Sequence, residues 1–180
     1  MAITELQIAE CADDGDLFKL LSAELQHHLP DGEGEDLDVF LTKIRAMPVG
    51  LRAMAASYQL DVSICLDDLG WHFVNWPHGP YCEETFWALQ ELEAAEEAEV
   101  FGEALELART WWPQLRALQF DNFDSFVKWY PGSDYEKTME PLTQRMWDLC
   151  GSQNGHNKGL LTYWPRYARK YPHKVVRVMS

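Results

Sequence analysis

His72 and His78 stand close in sequence to Asp67, Asp68 and Cys82, residue types that ligate transition metals and relay protons. Their spacing matches neither HExxH nor any other recognised ligand pattern, so polar histidines of a loop or interface are the plainer reading, and no metal site is assigned. Cys11, Cys65, Cys82 and Cys150 are far apart and form no CxxC pair, which leaves reduced, mostly buried thiols. Gly151, Gly155, Lys158 and Gly159 suggest a phosphate loop by composition. The order GxxxxGK[ST] is absent, however, and no strand-forming run precedes them, so a connector fits better. The adjacent Glu83 and Glu84 point in different directions on a helix and do not form an acid/base pair. His27 and His28 close a helix, where the dipole favours them. With no GxSxG or GxGxxG either, the sequence nominates no catalytic residue and no cofactor.

Charge is the more informative chemistry. The stretch ETFWALQELEAAEEAEVFGEALELA, residues 84–108, holds eight glutamates and no lysine or arginine. Residues 53–108 contain twelve acidic side chains and no Lys or Arg, whereas 149–180 contain Lys158, Arg166, Arg169, Lys170, Lys174 and Arg177 and no acid. A net charge of −14 repels nucleic acid and anionic membranes and steers cationic partners over about a Debye length, roughly 8 Å. Within the segment Val100, Ala104, Leu107, Ala108 and Trp111 share one helical face, which places Glu99, Glu103 and Glu106 opposite it. Like charges three or four residues apart cost roughly 0.2–0.5 kcal/mol per pair, and no local lysine relieves them. Either a partner or simple solubility accounts for such a row.

The elements that must position these groups read as helices. At 180 residues, with 47% hydrophobic and 13% aromatic side chains, the chain can build one sizeable core, and its acidity does not imply disorder. Leu17, Leu20, Leu21 and Leu25 give helical spacing over 16–29, ended by Pro30. The turn-forming DGEGE at 31–35 precedes a helical pattern over 36–47 and a long helix from about Val49 to Asp67. Two glycines, two prolines and two tryptophans in 69–81 predict an irregular loop, in which Trp71 and Trp76 either cover a core edge or line a groove. Tyr81, Thr85, Ala88, Leu89 and Leu92 then form an inward face, leaving Glu83, Glu84, Gln90 and Glu91 outside it. Pro113 is expected to end the acidic helices. A short helix and turn over 120–135, a helix over 141–150, a loop over 151–159 and a broken amphipathic helix over 160–176 complete the chain. KVVRVMS is the one strand candidate and lacks a partner. The expectation is one all-α domain over 1–180, a multi-helix bundle with a Gly/Pro/Trp-rich loop before the acidic helices. The N-terminus lacks a secretion signal and no apolar run approaches a membrane span, so a cytoplasmic location is expected.

The stretch DDLGWHFVNWPHGPYCEETFWALQELEAAEEAEVFGEAL (67–105) resembles the central part of an acidic bacterial helical family that includes a double-stranded-DNA mimic. Gly70, Phe73, Asn75, Gly79, Tyr81, Glu84, Ala88, Leu89 and Ala104 carry the resemblance, and LLTYWPRYARKYPHKV is similar to the family's closing helix. The likeness spans about 45–176, preceded by N-terminal helices over 1–44. Trp76, Pro77 and His78, inserted between Asn75 and Gly79, depart from the pattern. The resemblance implies a helical fold and, for its characterised member, surface carboxylates that occupy a transcription factor's DNA-binding face.

Together these features point to a non-enzymatic acidic protein that binds a basic, DNA-binding protein through Glu84, Glu91, Glu96, Glu97, Glu99, Glu103 and Glu106, with Trp71 and Trp76 beside them. An immunity or antitoxin-like protein that neutralises a basic toxin or nuclease is the alternative. A metal-dependent hydrolase built on His72 and His78 is a third class that lacks ligand spacing. Direct nucleic-acid and membrane binding are disfavoured, and a homodimer is a further arrangement the charge pattern leaves open.

Overall fold

The computed structural model describes residues 3–30, 36–121, 123–151 and 159–176. Among these residues the chain forms ten α-helices and no strand: α1 (Glu5–Glu10), α2 (Asp14–His28), α3 (Leu37–Arg45), α4 (Val49–Leu66), α5 (Leu69–Asn75), α6 (Gly79–Glu91), α7 (Ala95–Asp121), α8 (Phe123–Trp129), α9 (Asp134–Cys150) and α10 (Tyr163–Lys170). It is an all-α, single-domain bundle. Short 3₁₀ turns at Leu160–Thr162 and Pro172–Lys174 flank α10. Side-chain caps set many of the starts. Thr4 and Gln7 form a reciprocal capping box on α1, while Asp13, Asp36, Asp68 and Ser133 each accept a backbone N–H of the helix that follows.

Helix α4 is the axis of the bundle because it is apolar on nearly all sides. Leu51, Ala53, Met54 and Ala56 join a cluster with Leu17, Leu21, Phe40, Ile44, Tyr81, Trp164 and Tyr167, from α2, α3, α6 and α10. One to two turns further along, Leu60 and Ile64 join a second cluster with Phe73, Phe101, Ala104, Phe126, Tyr135 and Met146, from α5, α7, α8 and α9. Helix α6 also serves both clusters, giving Tyr81, Ala88 and Leu92 to the first and Cys82 and Leu89 to the second. The hydroxyl of Thr85 donates to the Ala56 carbonyl at 3.0 Å and ties the two shared helices together. Every member of the inward face expected for 81–92 is buried.

Two expectations about the helices are corrected. Residues 69–75 are helix α5, not loop. Asp68 caps its start through the Trp71 N–H at 2.8 Å, and the prolines stand beyond its end. Gly70 serves close approach instead of a turn, since a Cβ there would sit 2.2 Å from the Tyr130 hydroxyl. Pro113 does not end its helix, and α7 continues to Asp121. The proline is exposed, so water can satisfy the carbonyl it leaves unpaired, while Leu115 carries the apolar face onward. Lys174, in the strand candidate, closes a 3₁₀ turn, and Arg177–Ser180 lie outside the described residues. The expected loop at 31–35 and the candidate phosphate-loop residues Gly155 and Lys158 lie outside them as well.

Gly70→Ala should destabilise the protein by about 1–3 kcal/mol, the usual cost of overpacking, because Tyr130 is itself held by Asp68 at 2.8 Å and cannot retreat freely. Urea denaturation should show a lowered midpoint with an unchanged slope.

Candidate functional site

Most of the cations that the acidic segment lacks reach it from other helices. Glu84 is 3% exposed and lies between Arg45, whose Nη2 is 2.8 Å from Oε2, and Arg52, which hydrogen-bonds Oε1. The Arg52 guanidinium also stacks 3.9 Å above the Trp87 ring, so it is clamped on two sides. Glu91 accepts from Lys174 at 2.7 Å and from the Tyr167 hydroxyl. Burial opposes its ionisation, but these two hydrogen bonds outweigh it and hold the carboxyl below its ordinary range. Glu97 is 4% exposed and accepts from Tyr163 at 2.8 Å. Glu103 pairs with Arg145 at 2.8 Å, and Arg109 joins Glu106 to Glu83.

Between α6 and α7, Glu93 adopts a left-handed backbone with φ 62°, uncommon for a residue with a side chain. Lys170 at 2.7 Å and the Tyr171 hydroxyl at 2.7 Å grip its carboxylate and hold the turn. The basic end of the chain therefore folds against the acidic segment.

Of the seven glutamates expected to face a partner, Glu84 and Glu97 are removed from the surface by burial, and Glu91 is mostly enclosed by its cation and phenol. Glu103 and Glu106 remain exposed within ion pairs. Glu96 and Glu99 are exposed and make no ion pair among the described residues, although Glu99 acts at longer range on Arg145. The tryptophans cover core edges. Trp71 meets Phe126 edge-on at 4.8 Å and Tyr130 at 5.3 Å, and Trp76 packs 5.6 Å from Tyr81.

The two histidines have separate roles. His78 caps α6, its Nδ1 accepting the Tyr81 N–H at 3.2 Å, with Nε2 3.3 Å from Asp38. His72 is fully buried, its Nδ1 3.0 Å from Ser63 Oγ. Ser63 already donates its proton to the Gln59 carbonyl at 2.8 Å, so the ring donates at Nδ1 and Nε2 is left a bare lone pair with no protein partner. In this tautomer His72 is not a base for Ser63, and the buried pair is not a nucleophile–base dyad. Burial lowers the His72 pKa to about 3, against a smaller opposing effect of the Gln59 carbonyl.

Burial likewise pushes the thiols of Cys82 and Cys150 up to about 12, so both are protonated and unreactive at neutral pH. Asp61, also raised by burial, accepts the Leu160 N–H at 2.6 Å and pins the 3₁₀ turn before α10. No group of three or more His, Cys, Asp or Glu is placed to hold a metal ion among the described residues. No helix among them is long and apolar enough to cross a membrane.

A feature that sequence reasoning missed is a cavity of about 450 Å³ walled by Phe18, Phe40, Tyr58 and Trp164. The walls come from four helices and as many as 146 positions apart, so no local pattern announces it. Comparison with known proteins finds no matching protein-family model, curated protein or solved structure.

Glu84→Gln should cost about 2 kcal/mol. Breaking a fully buried pair costs roughly 3–5, and the partial exposure of both arginines reduces that figure. Chemical denaturation should show the loss, with helical content retained. His72 adds a pH dependence. Its neutral form is favoured by folding, so its contribution is complete above the ordinary pKa of about 6.5 and is lost as pH falls from there toward about 3. Stability measured between pH 7 and 5 should fall more steeply in the wild type than in His72→Gln.

Proposed function

We propose that the protein acts by binding and not by catalysis, as an acidic protein whose surface carboxylates meet the basic surface of a DNA-binding partner in place of DNA. The observation that carries this reading is the row Glu96, Glu99, Glu103 and Glu106 along the exposed side of α7. At 1.5 Å per residue it sets four carboxylates over about 15 Å, roughly 4.5–6 Å apart, against one phosphate per about 3.4 Å of a single DNA strand. The row has a surplus of negative charge at its N-terminal end, where Glu96 and Glu99 make no ion pair among the described residues. At the other end, the pairs Glu103–Arg145 and Glu106–Arg109 are exposed and screened by solvent, so each holds its carboxylate only weakly. A partner's cations can replace those arginines at small cost.

A row on one helix is rigid, as a substitute for DNA must be, because Val100, Phe101, Ala104 and Ala108 of α7 are buried in the core. The resemblance of 67–105 to the family of a DNA mimic points the same way. Its matching residues are largely buried, Phe73, Tyr81, Ala88, Leu89 and Ala104 among them, so the likeness speaks to the fold more than to the partner.

The informative variant is Glu96→Gln with Glu99→Gln, which removes unpaired charge without releasing an arginine. The immobilised protein should retain a basic protein from native extract at low salt and release it at high salt. That protein's binding to duplex DNA should be competed by the wild type and at least fivefold less well by the double variant, mainly through slower association. Equal competition by both forms, or none by either, would sink the reading. A nuclease or other toxin in the eluate, inhibited on binding, would move the protein to the immunity class.

A further inference from the structure

We infer that the cavity between α2, α3, α4 and α10 is a binding site for an uncharged aromatic small molecule. This rests on the cavity alone and is independent of the charge reading. Its volume, about 450 Å³, falls in the range of small-molecule sites, roughly 300–1,000 Å³. The walls are rings and aliphatic groups. Trp164 forms the floor, with Phe18 at 5.6 Å between centroids and tilted by 31°, and with Tyr58 at 6.3 Å and 45°. Such tilted, spaced rings present faces and edges to a flat guest, the arrangement aromatic pairs favour.

The floor is preorganised. The indole N–H of Trp164 donates to Ser57 Oγ at 3.2 Å, and Ser57 donates to the Met54 carbonyl at 3.1 Å. The ring's one polar atom is thus satisfied within the protein and needs nothing from a ligand. Tyr58, also of the lining, is 44% exposed, so its ring would lose water by covering a guest.

Polarity fixes the class of ligand. Ser22, Gln26 and Gln59 supply a hydroxyl and two amides, whereas no Asp, Glu, Lys, Arg or His lines the space among the described residues. An anion would enter against a protein of net charge −14, and among the described lining residues there is neither a cation to receive it nor a carboxylate to hold a cation. A neutral ring system with one or two hydrogen-bonding groups meets both conditions.

N-phenyl-1-naphthylamine is a suitable probe, neutral and diaromatic with a single N–H, and 1-anilinonaphthalene-8-sulfonate is its anionic counterpart. Full-length protein should enhance the fluorescence of the neutral probe saturably at one site per chain, and bind the sulfonate at least tenfold more weakly. Ser22→Phe, which fills the cavity, and Tyr58→Ala, which removes an exposed wall, should each weaken the neutral probe at least tenfold. Thermal unfolding followed by circular dichroism selects whichever variants fold, and the exposed Tyr58 position tolerates truncation best. Absence of saturable binding, equal binding of the two probes, or unchanged affinity in a folded variant would overturn the assignment.

Discussion

The carboxylate of Glu84 determines how the two halves of the core meet. It is enclosed at the seam where α6 lies against α3 and α4, with Arg45 on one side and Arg52 on the other. A buried charge is tolerated only when its partners are fixed, and Trp87 beneath Arg52 supplies part of that fixing. The geometry admits little sliding of α6 along α4. Because these two helices contribute to both apolar clusters, the position of α7 and its glutamates on one side, and of the aromatic cavity on the other, follows from the same contact.

Scarcity of cations shapes the remainder of the surface. Fifteen Lys and Arg face twenty-nine Asp and Glu, so not every carboxylate can have a partner. The cations go where helices must be held: Lys170 and Lys174 join α10 and its following turn to Glu93 and Glu91, Arg169 joins α10 to Asp14 of α2, and Arg145 joins α9 to α7. What stays unpaired is a consequence of that allocation. Glu96 lies in the first turn of α7, where the helix dipole favours negative charge, and Glu99 in the turn that follows. The cost of an unpaired acidic row is therefore lowest at the end of the helix where it is found.

Periodicity made the helical faces legible from sequence, and it did so for a physical reason. The buried stripe of 81–92 is a local property of one helix. Composition misled over 69–75, where Gly70 reads as a turn residue although its role is to admit the Tyr130 hydroxyl, sixty positions away. The fate of the glutamates was equally hidden. Glu84 and Glu83 are neighbours in sequence, yet one is sealed between arginines and the other is exposed, and the difference lies in residues 32 to 39 positions upstream. Windowed charge counts miss such pairing because they sum along the chain and not across helices. For the same reason the aromatic cavity, assembled from Phe18, Tyr58 and Trp164, left no trace in any single segment.

Between cavity and acidic row runs a continuous path of packed groups. Gln59 lines the cavity, and its backbone carbonyl accepts from Ser63, which meets His72. His72 in turn packs edge-on against Phe101 of α7 at 5.7 Å. Contact alone does not transmit a signal; that requires an element with two arrangements. The one group on this path with an unmet bond, His72 Nε2, is a neutral acceptor that burial keeps unprotonated at physiological pH. A group locked in one protonation state and one tautomer offers no second arrangement. Titration of His72 at physiological pH therefore supplies no switch along this path.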